Sequence, residues 1–335
     1  MSVDLLHTEF GLILGTAGRQ SKIDIATGDV RLLQHFQAVT AFTLGGAHHK
    51  SVFRYCVARK GFELPYLMHM TLAVSCAHLK RLATVACHTD YSRRYAIAEA
   101  RHWQSGLELY QVALKGRAHD FDGALAATFL TIIFTFALDD QLPRDSYTSG
   151  DREKLMHAIN PLAATGGFGA LRVILGEHMM ESTWGSVLQD SDDELGTFTD
   201  DRIGTAGLPA AFVDLCELDA ESNAENNPYH AIVRRLTPLL RLRPCEDSFT
   251  KFIAFSGRTW RYLRPLLLVR DARALLLISY WFAMMRDKKQ WWICVRAETE
   301  CIAIVDYLRR SEDSRILPLL TFPASLGQAD LSYIW

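Results

Sequence analysis

Apolar residues recur at helical spacing along most of this 335-residue chain. Leu32, Phe36 and Val39 are spaced so that they lie on one face of a helix. The stretches 66–84 and 123–138 are apolar almost all round, a pattern typical of buried helices. No alternating strand pair joined by Asn-Gly or Asp-Gly occurs. The sequence therefore predicts an all-α fold with about nine to twelve helices.

Helical periodicity continues through the rest of the chain with one interruption. Further helices are predicted at 89–115, 248–263, 271–285 and 290–310. Pro265 is expected to break the chain between the second and third of these. The segment 189–209 has six acidic residues, several glycines and no apolar period, so it predicts an acidic surface loop or a linker between two packed halves. We expect one helical domain over residues 1–335.

Charge and composition narrow the class of protein. The formal net charge is −2, so no basic field is present and no direct nucleic-acid partner is expected. The longest uncharged stretch, 123–138, is shorter than the ~20 residues that a membrane-spanning helix needs. The first residues lack a signal-peptide pattern. Seven cysteines without a Cys-x-x-Cys pair indicate reduced thiols, and hence a cytoplasmic or nuclear protein.

Five segments carry a resemblance to a known family. They are DVRLLQHFQAVTAFTL (29–44), LPYLMHMTLAVSCAHLKRL (64–82), AEARHWQSGLELY (98–110), ALAATFLTIIFTFA (124–137) and ALLLISYWFAMMRDKKQWWICVRAETECIAIVDYL (274–308). In order and spacing they resemble the ligand-binding domain of fungal sterol-responsive zinc-cluster transcription factors. The resemblance spans nearly the whole chain. It implies a compact α-helical domain with an internal apolar pocket for a sterol or a similar polycyclic terpenoid.

The resemblance also implies which residues lie near that pocket: Thr131, Phe134, Tyr280, Trp281, Met284 and Trp292. Members of the family carry an N-terminal six-cysteine zinc cluster and a basic region. Here the resemblance begins within about thirty residues of Met1. We therefore expect a stand-alone ligand-binding domain without its own DNA-binding module.

The sequence does not contain the usual motifs of a metal or cofactor site. No His-Glu-x-x-His, no cysteine pair at zinc spacing and no Gly-x-Ser-x-Gly is present. Asp139 and Asp140 begin a run that ends in Pro143, where a magnesium–diphosphate site needs a further carboxylate. We predict no metal and no cofactor.

Cofactor-free chemistry on an apolar substrate needs a shaped pocket and a proton or hydrogen-bond donor. Four bulky side chains are the candidate ligand-binding residues: Phe134, Trp281, Met284 and Trp292. Four polar side chains are the candidate catalytic residues: Tyr280, His78, His102 and Thr131. For the two histidines, a hydrogen-bonded core position is the competing interpretation.

Three functions fit these patterns. The first is a cofactor-independent cyclase or pericyclase, for example of the intramolecular Diels–Alder type, that acts on a terpenoid in fungal secondary metabolism. The second is a sterol- or metabolite-sensing domain of a transcription regulator, without catalysis, and the third is a carrier. All three predict an apolar small-molecule partner and no membrane span, and they leave a homodimer open.

Overall fold

The computed structural model describes residues 27–115, 120–138, 147–175, 182–187, 200–242, 248–287 and 290–335. Every regular element in these ranges is a helix, and no strand occurs among them. The predicted all-α fold is therefore confirmed. The chain divides into two compact units, residues 1–42 with 51–127, and residues 43–50 with 128–335. We call them the first unit and the second unit.

The first unit is built around a helical hairpin. Helix α1 (Thr27–Ala38) packs against helix α2 (Pro65–Val85), which runs antiparallel to helix α3 (Thr89–Leu114). Pro65 occupies the first position of α2, where its missing N–H is not needed. Leu32 and Phe36 of the predicted apolar face are buried, whereas Val39 was wrongly assigned to that face, because it follows the last residue of α1 and is 41 % exposed.

A glycine allows α3 to approach α2 closely. A Cβ added at Gly106 would lie 2.9 Å from Cγ of Met70 and 3.2 Å from its backbone nitrogen. Four short helical segments lie between α1 and α2 in the sequence, namely a 3-10 helix at Thr40–Thr43, Ala47–Ser51, a π-helix at Val52–Val57, and Ala58–Gly61. Ala58, Met68, Leu72 and Cys76 form a core with Leu32 and Leu33 of α1.

Helix α4 (Phe121–Ala137) begins in the first unit and ends in the second. Its predicted all-round burial is largely realised, since Leu125, Leu130 and Phe134 are at most 2 % exposed. A threonine of its last turn bonds back into the helix. Thr135 Oγ1 donates to the carbonyl of Thr131 at 2.8 Å.

The second unit contains the remaining helices. They are α5 (Arg152–Leu175), α6 (Ala210–Leu215), α7 (Pro228–Arg241), α8 (Phe249–Leu268), α9 (Ala272–Asp287), α10 (Cys294–Leu308), α11 (Ile316–Leu319) and α12 (Thr321–Ala324). Helix α9 is central, because α7, α8, α10, α11 and α12 all pack against it. Its residues 274–283 are completely buried, as expected of an apolar helix surrounded by others.

The helix break that the sequence predicts at Pro265 is wrong. Helix α8 does not end before Pro265 but continues through it to Leu268. A proline near the end of a helix removes one backbone bond, here to the carbonyl of the exposed Arg261, where water can replace it.

The loop or linker predicted at 189–209 stays a prediction, because residues 188–199 lie outside the described residues. The described part, 200–209, forms turns before α6.

A buried arginine compensates for a proline inside α5. Pro161 has no N–H, so the carbonyl of His157 lacks its usual helical partner. Arg296 of α10, 3 % exposed, donates to that carbonyl at 3.4 Å. It also donates to the carbonyls of Ala158 at 2.9 Å and Thr135 at 3.2 Å. One guanidinium therefore joins α4, α5 and α10.

Candidate functional site: an aromatic cluster

The second unit contains a run of mostly buried aromatic rings, which we call the aromatic cluster. Consecutive members lie with ring centroids 5.0 to 6.4 Å apart, in the order Phe168, Phe129, His49, Phe249, Trp292, Phe136, Trp281 and Phe255. These separations are typical of favourable ring pairs. Large apolar surfaces of this kind line the binding sites of small apolar molecules.

Three helices and one turn position the centre of the cluster. Phe136 lies on α4, Phe249 begins α8, Trp281 lies on α9, and Trp292 precedes α10. Phe136 contacts both tryptophans, with centroid distances of 6.3 Å to Trp281 and 5.9 Å to Trp292. Two of the predicted ligand-binding residues therefore meet on one phenylalanine that the prediction did not include.

The indole N–H of Trp292 has no hydrogen-bond partner among the described residues. The side chain is 2 % exposed and lies edge-on to Phe136 and Phe249, with interplanar angles of 60° and 82°. Its Nε1 is buried and unsatisfied. A buried donor left without an acceptor costs about 1–3 kcal/mol. Most buried Trp N–H groups are satisfied, so this exception calls for an explanation.

Trp281 shows the usual arrangement. It is completely buried, and its Nε1 donates to the carbonyl oxygen of Phe252 at 2.7 Å. The two predicted tryptophans therefore differ in one respect, because only Trp292 has a donor to offer to another molecule.

Tyr280, a predicted catalytic residue, is fully engaged by the protein. Its hydroxyl donates to the carbonyl of Leu319 at 2.7 Å and lies 2.9 Å from the hydroxyl of Tyr333. Its ring stacks on Phe322 with a centroid distance of 5.3 Å. Burial, and then the bond with Tyr333, raise the pKa of Tyr280 well above its usual range. The described contacts connect α9 to the C-terminal segment, and the catalytic role stays a prediction.

The other three predicted pocket residues lie on the same helices. Phe134 and Met284 are buried, and Thr131 is half-buried one turn before Phe134. Six of the eight predicted residues thus belong to α4, α9 and the turn before α10 of the second unit. Their contact with a ligand stays a prediction.

The two predicted histidines belong to the first unit. His102 Nε2 lies 3.3 Å from Oδ1 of Asp29, and its Nδ1 lies 3.0 Å from Nδ1 of His69. Burial lowers the pKa values of His102 and His69, although the nearby charge of Asp29 acts to raise them. We call Asp29, His102 and His69 the Asp–His–His row. Arg101 lies at the outer edge of this row, 3.7 Å from Asp29.

His78 occupies a second polar position between helices of the first unit. Its Nδ1 lies 3.0 Å from Oγ1 of Thr40, and its ring lies 5.3 Å from that of His35. Burial, with a smaller effect of His35, lowers the pKa of His78 to about 4. His78 is therefore neutral at neutral pH and hydrogen-bonded within the core, as the competing interpretation expects.

Sequence reasoning missed Phe136, Phe249 and His49 of the aromatic cluster. Phe136 follows the predicted Phe134 by two residues, so it lies on a different face of α4. His49 and Phe249 are separated by 200 residues and meet only through the fold. A single sequence contains no local signal for that contact.

Within the described ranges, no group of three or more His, Cys, Asp or Glu side chains is arranged to hold a metal ion. None of the described helices has both the length and the apolar character required to cross a bilayer. No protein-family model matches the chain, and a comparison with curated proteins finds no significant match. The site is therefore interpreted from its geometry.

Proposed function

We propose that this protein binds an apolar small molecule of the terpenoid or sterol class in the aromatic cluster, and that it acts as a ligand-sensing domain. The observation that carries the proposal is the unsatisfied N–H of Trp292 among apolar rings. A ligand with one hydroxyl or carbonyl oxygen would accept this hydrogen bond, while its hydrocarbon part contacts the rings of Phe136 and Phe249.

Two polar side chains of α9 support binding more than chemistry. Trp281 and Tyr280 already donate to backbone carbonyls. The unsatisfied N–H of Trp292 is a donor with no acid–base function at neutral pH. An oriented donor among apolar rings is an arrangement typical of ligand recognition. The segments that resemble sterol-responsive regulators support the chemical class of the ligand.

The state of the thiols supports a cytoplasmic or nuclear location for this function. Each cysteine in the described ranges is free. Burial raises the pKa of Cys216 and of Cys301 to about 12, which makes both thiols unreactive. Free buried thiols are typical of proteins in reducing compartments.

Native mass spectrometry of the purified protein tests the proposal first, by revealing an apolar molecule that copurifies. Binding is then measured with two matched probes, the linear sesquiterpene alcohol farnesol and the hydrocarbon farnesene. We expect the wild-type protein to prefer the alcohol by about tenfold, because only the alcohol can accept the Trp292 hydrogen bond. Trp292→Phe should abolish this preference.

The matched control is Trp291→Phe. The N–H of this neighbouring tryptophan already donates to Oγ1 of Thr43 at 2.9 Å, so the variant should keep the preference for the alcohol. If neither probe binds, or if Trp292→Phe retains the preference, the proposal is wrong.

A second candidate function is the cofactor-independent cyclase. The observation in its favour is the aromatic cluster itself, because a shaped apolar surface can hold the reacting carbons of a polyene in near-attack geometry. A Diels–Alder cyclisation converts two π bonds into two σ bonds within one substrate, and it needs no oxidant or reductant. Incubation with a linear polyene distinguishes the two functions. Cyclised product above the uncatalysed rate assigns catalysis, and unchanged bound polyene assigns sensing.

A further inference from the structure

A groove of about 250 Å³ lies on the second unit, apart from the residues of the aromatic cluster. One wall is the loop 200–208, which contributes Leu208. The other wall is the end of α7 with the first turn of α8, where Arg241 and Lys251 lie. We call it the basic groove.

A buried arginine gives the loop wall its fixed shape. Arg234 of α7 is 3 % exposed and donates to the carbonyls of Gly204 at 2.6 Å and Ala206 at 2.8 Å. It donates to the carbonyl of Arg202 at 3.1 Å as well. Three backbone groups of one short loop are thus held by one side chain. The groove is therefore preorganised, which lowers the entropy cost of binding.

Two glycines are required in this loop. Gly204 and Gly207 have φ angles of +83° and +77°, which favour residues without a Cβ. A Cβ at Gly204 would also lie 2.8 Å from the carbonyl oxygen of Ala220. The loop conformation is consequently specified by the sequence as well as by Arg234.

The single carboxylate of the described lining is already neutralised. Asp200 accepts two hydrogen bonds of 2.8 Å from the guanidinium of Arg202, and it lies 3.4 Å from Nη1 of Arg234. The bond with Arg202 is the main reason that the pKa of Asp200 is held below its usual range. Asp200 therefore stays ionised and paired, and it leaves the other cations of the groove uncompensated.

Two cations remain for a ligand. Lys251 is half-buried and has no hydrogen-bond or ion-pair partner among the described residues. Arg241 lies at the groove's outer end, where its guanidinium covers the ring of Trp335 at 4.1 Å and donates to the carbonyl of Gly207 at 3.3 Å. A partly desolvated ammonium without a partner is unfavourable, and an anion would relieve that cost.

We propose that the basic groove binds a small organic oxyanion, a carboxylate or a phosphate ester with a short apolar body. The anionic group would lie between Lys251 and Arg241. Leu208, Pro238 and Leu242 supply apolar contacts for the rest of the molecule. The volume corresponds to about eight water molecules, so the ligand is a small metabolite and not a polymer.

Isothermal titration with three six-carbon probes tests this proposal on the full-length protein. Hexanoate and hexyl phosphate are the two anionic probes, and hexanol is the neutral one. We expect at least one anion to bind about tenfold more tightly than hexanol, and its affinity to fall as salt is raised. Tighter binding of hexanoate would assign a carboxylate as the ligand class, and tighter binding of hexyl phosphate would assign a phosphate ester.

Lys251→Met should weaken anion binding about tenfold, since a charge-assisted hydrogen bond is lost. The matched control is Lys154→Met, which removes an exposed lysine of the same unit outside the groove and should bind anions like the wild type. Equal binding of hexanol and the anions contradicts the proposal, as does no saturable binding up to about 10 mM. Unchanged affinity in a folded Lys251→Met variant contradicts it too. Lys251 lines the groove and is not a member of the aromatic cluster, so the effect of Lys251→Met is independent of the proposed function.

Discussion

The two units stabilise their buried polar groups in different ways. In the first unit, histidines lie between helices, and burial lowers their pKa values. In the second unit, the guanidiniums of Arg234 and Arg296 are bound to backbone carbonyls. A histidine gains a proton as the pH falls, whereas a guanidinium keeps its charge. Burial lowers the pKa of four histidines in the first unit, and in the described part of the second unit it lowers the pKa of His230. A fall in pH should therefore affect the first unit more than the second.

The largest expected effect concerns Arg296. Arg296→Met would leave the carbonyls of His157, Ala158 and Thr135 without this donor, and we expect a loss of about 3 kcal/mol or more in the free energy of unfolding. Urea unfolding measures the total loss in the free energy of unfolding. Hydrogen exchange of peptides from α5 and α10 shows where in the structure that loss occurs.

Arg309→Met, at the C-cap of the same helix, is the matched control. Arg309 is exposed and pairs with Asp306 at 2.7 Å, so its replacement should change stability by less than about 0.5 kcal/mol. Equal stability of the two variants would show that the carbonyl contacts of Arg296 are energetically unimportant.

The next effect is the pH dependence of the first unit. His78 has a folded-state pKa of about 4 and an unfolded-state value of 6.5, so the unfolded state binds the proton more strongly. Its contribution is complete above pH 6.5 and is lost as the pH falls towards 4. Between pH 7 and pH 5, we expect the first unit to lose roughly 2 kcal/mol.

Hydrogen exchange at both pH values, corrected for intrinsic exchange rates, measures this effect in α2 and, for comparison, in α9. Protection should fall in α2 and stay nearly constant in α9. His78→Gln, which does not titrate, should reduce the pH dependence of α2. A parallel decrease of protection in both helices would contradict the comparison between the units.

The smallest effect distinguishes the two tryptophans of the aromatic cluster. Trp281→Phe removes the donor to the carbonyl of Phe252, whereas Trp292→Phe removes a donor that bonds nothing. Both variants lose the same side-chain volume. We therefore expect Trp281→Phe to be less stable than Trp292→Phe by about 1–2 kcal/mol, measured by thermal and urea unfolding without ligand. Equal losses would mean that the Trp292 N–H is not an energetic burden.

Much of the fold could be predicted from the sequence because helices have a local period. The predicted helices at 66–84 and 89–115 match α2 and α3 within a residue or two. Pro265 misled the prediction, since a proline in the last turns of a helix costs only a bond at a solvent-exposed carbonyl.

The candidate site was less predictable because its decisive contacts are long-range. Trp281 and Trp292 could be proposed because the family resemblance implies that they lie near a pocket. The difference between the two tryptophans depends on the fold. Trp281 has an acceptor because the carbonyl of Phe252, 29 residues away in the sequence, lies next to it, whereas Trp292 has none among the described residues. The role of Arg296 depends likewise on backbone groups at least 138 residues away. Neither distinction has a local signature.

The central claim is that the buried N–H of Trp292 recognises an oxygen of an apolar ligand. The most direct measurement is the ratio of farnesol to farnesene affinity in wild type, Trp292→Phe and Trp291→Phe. The claim predicts a ratio of about ten in the wild type and in Trp291→Phe, and a ratio near one in Trp292→Phe. A ratio that is the same in all three proteins would contradict it.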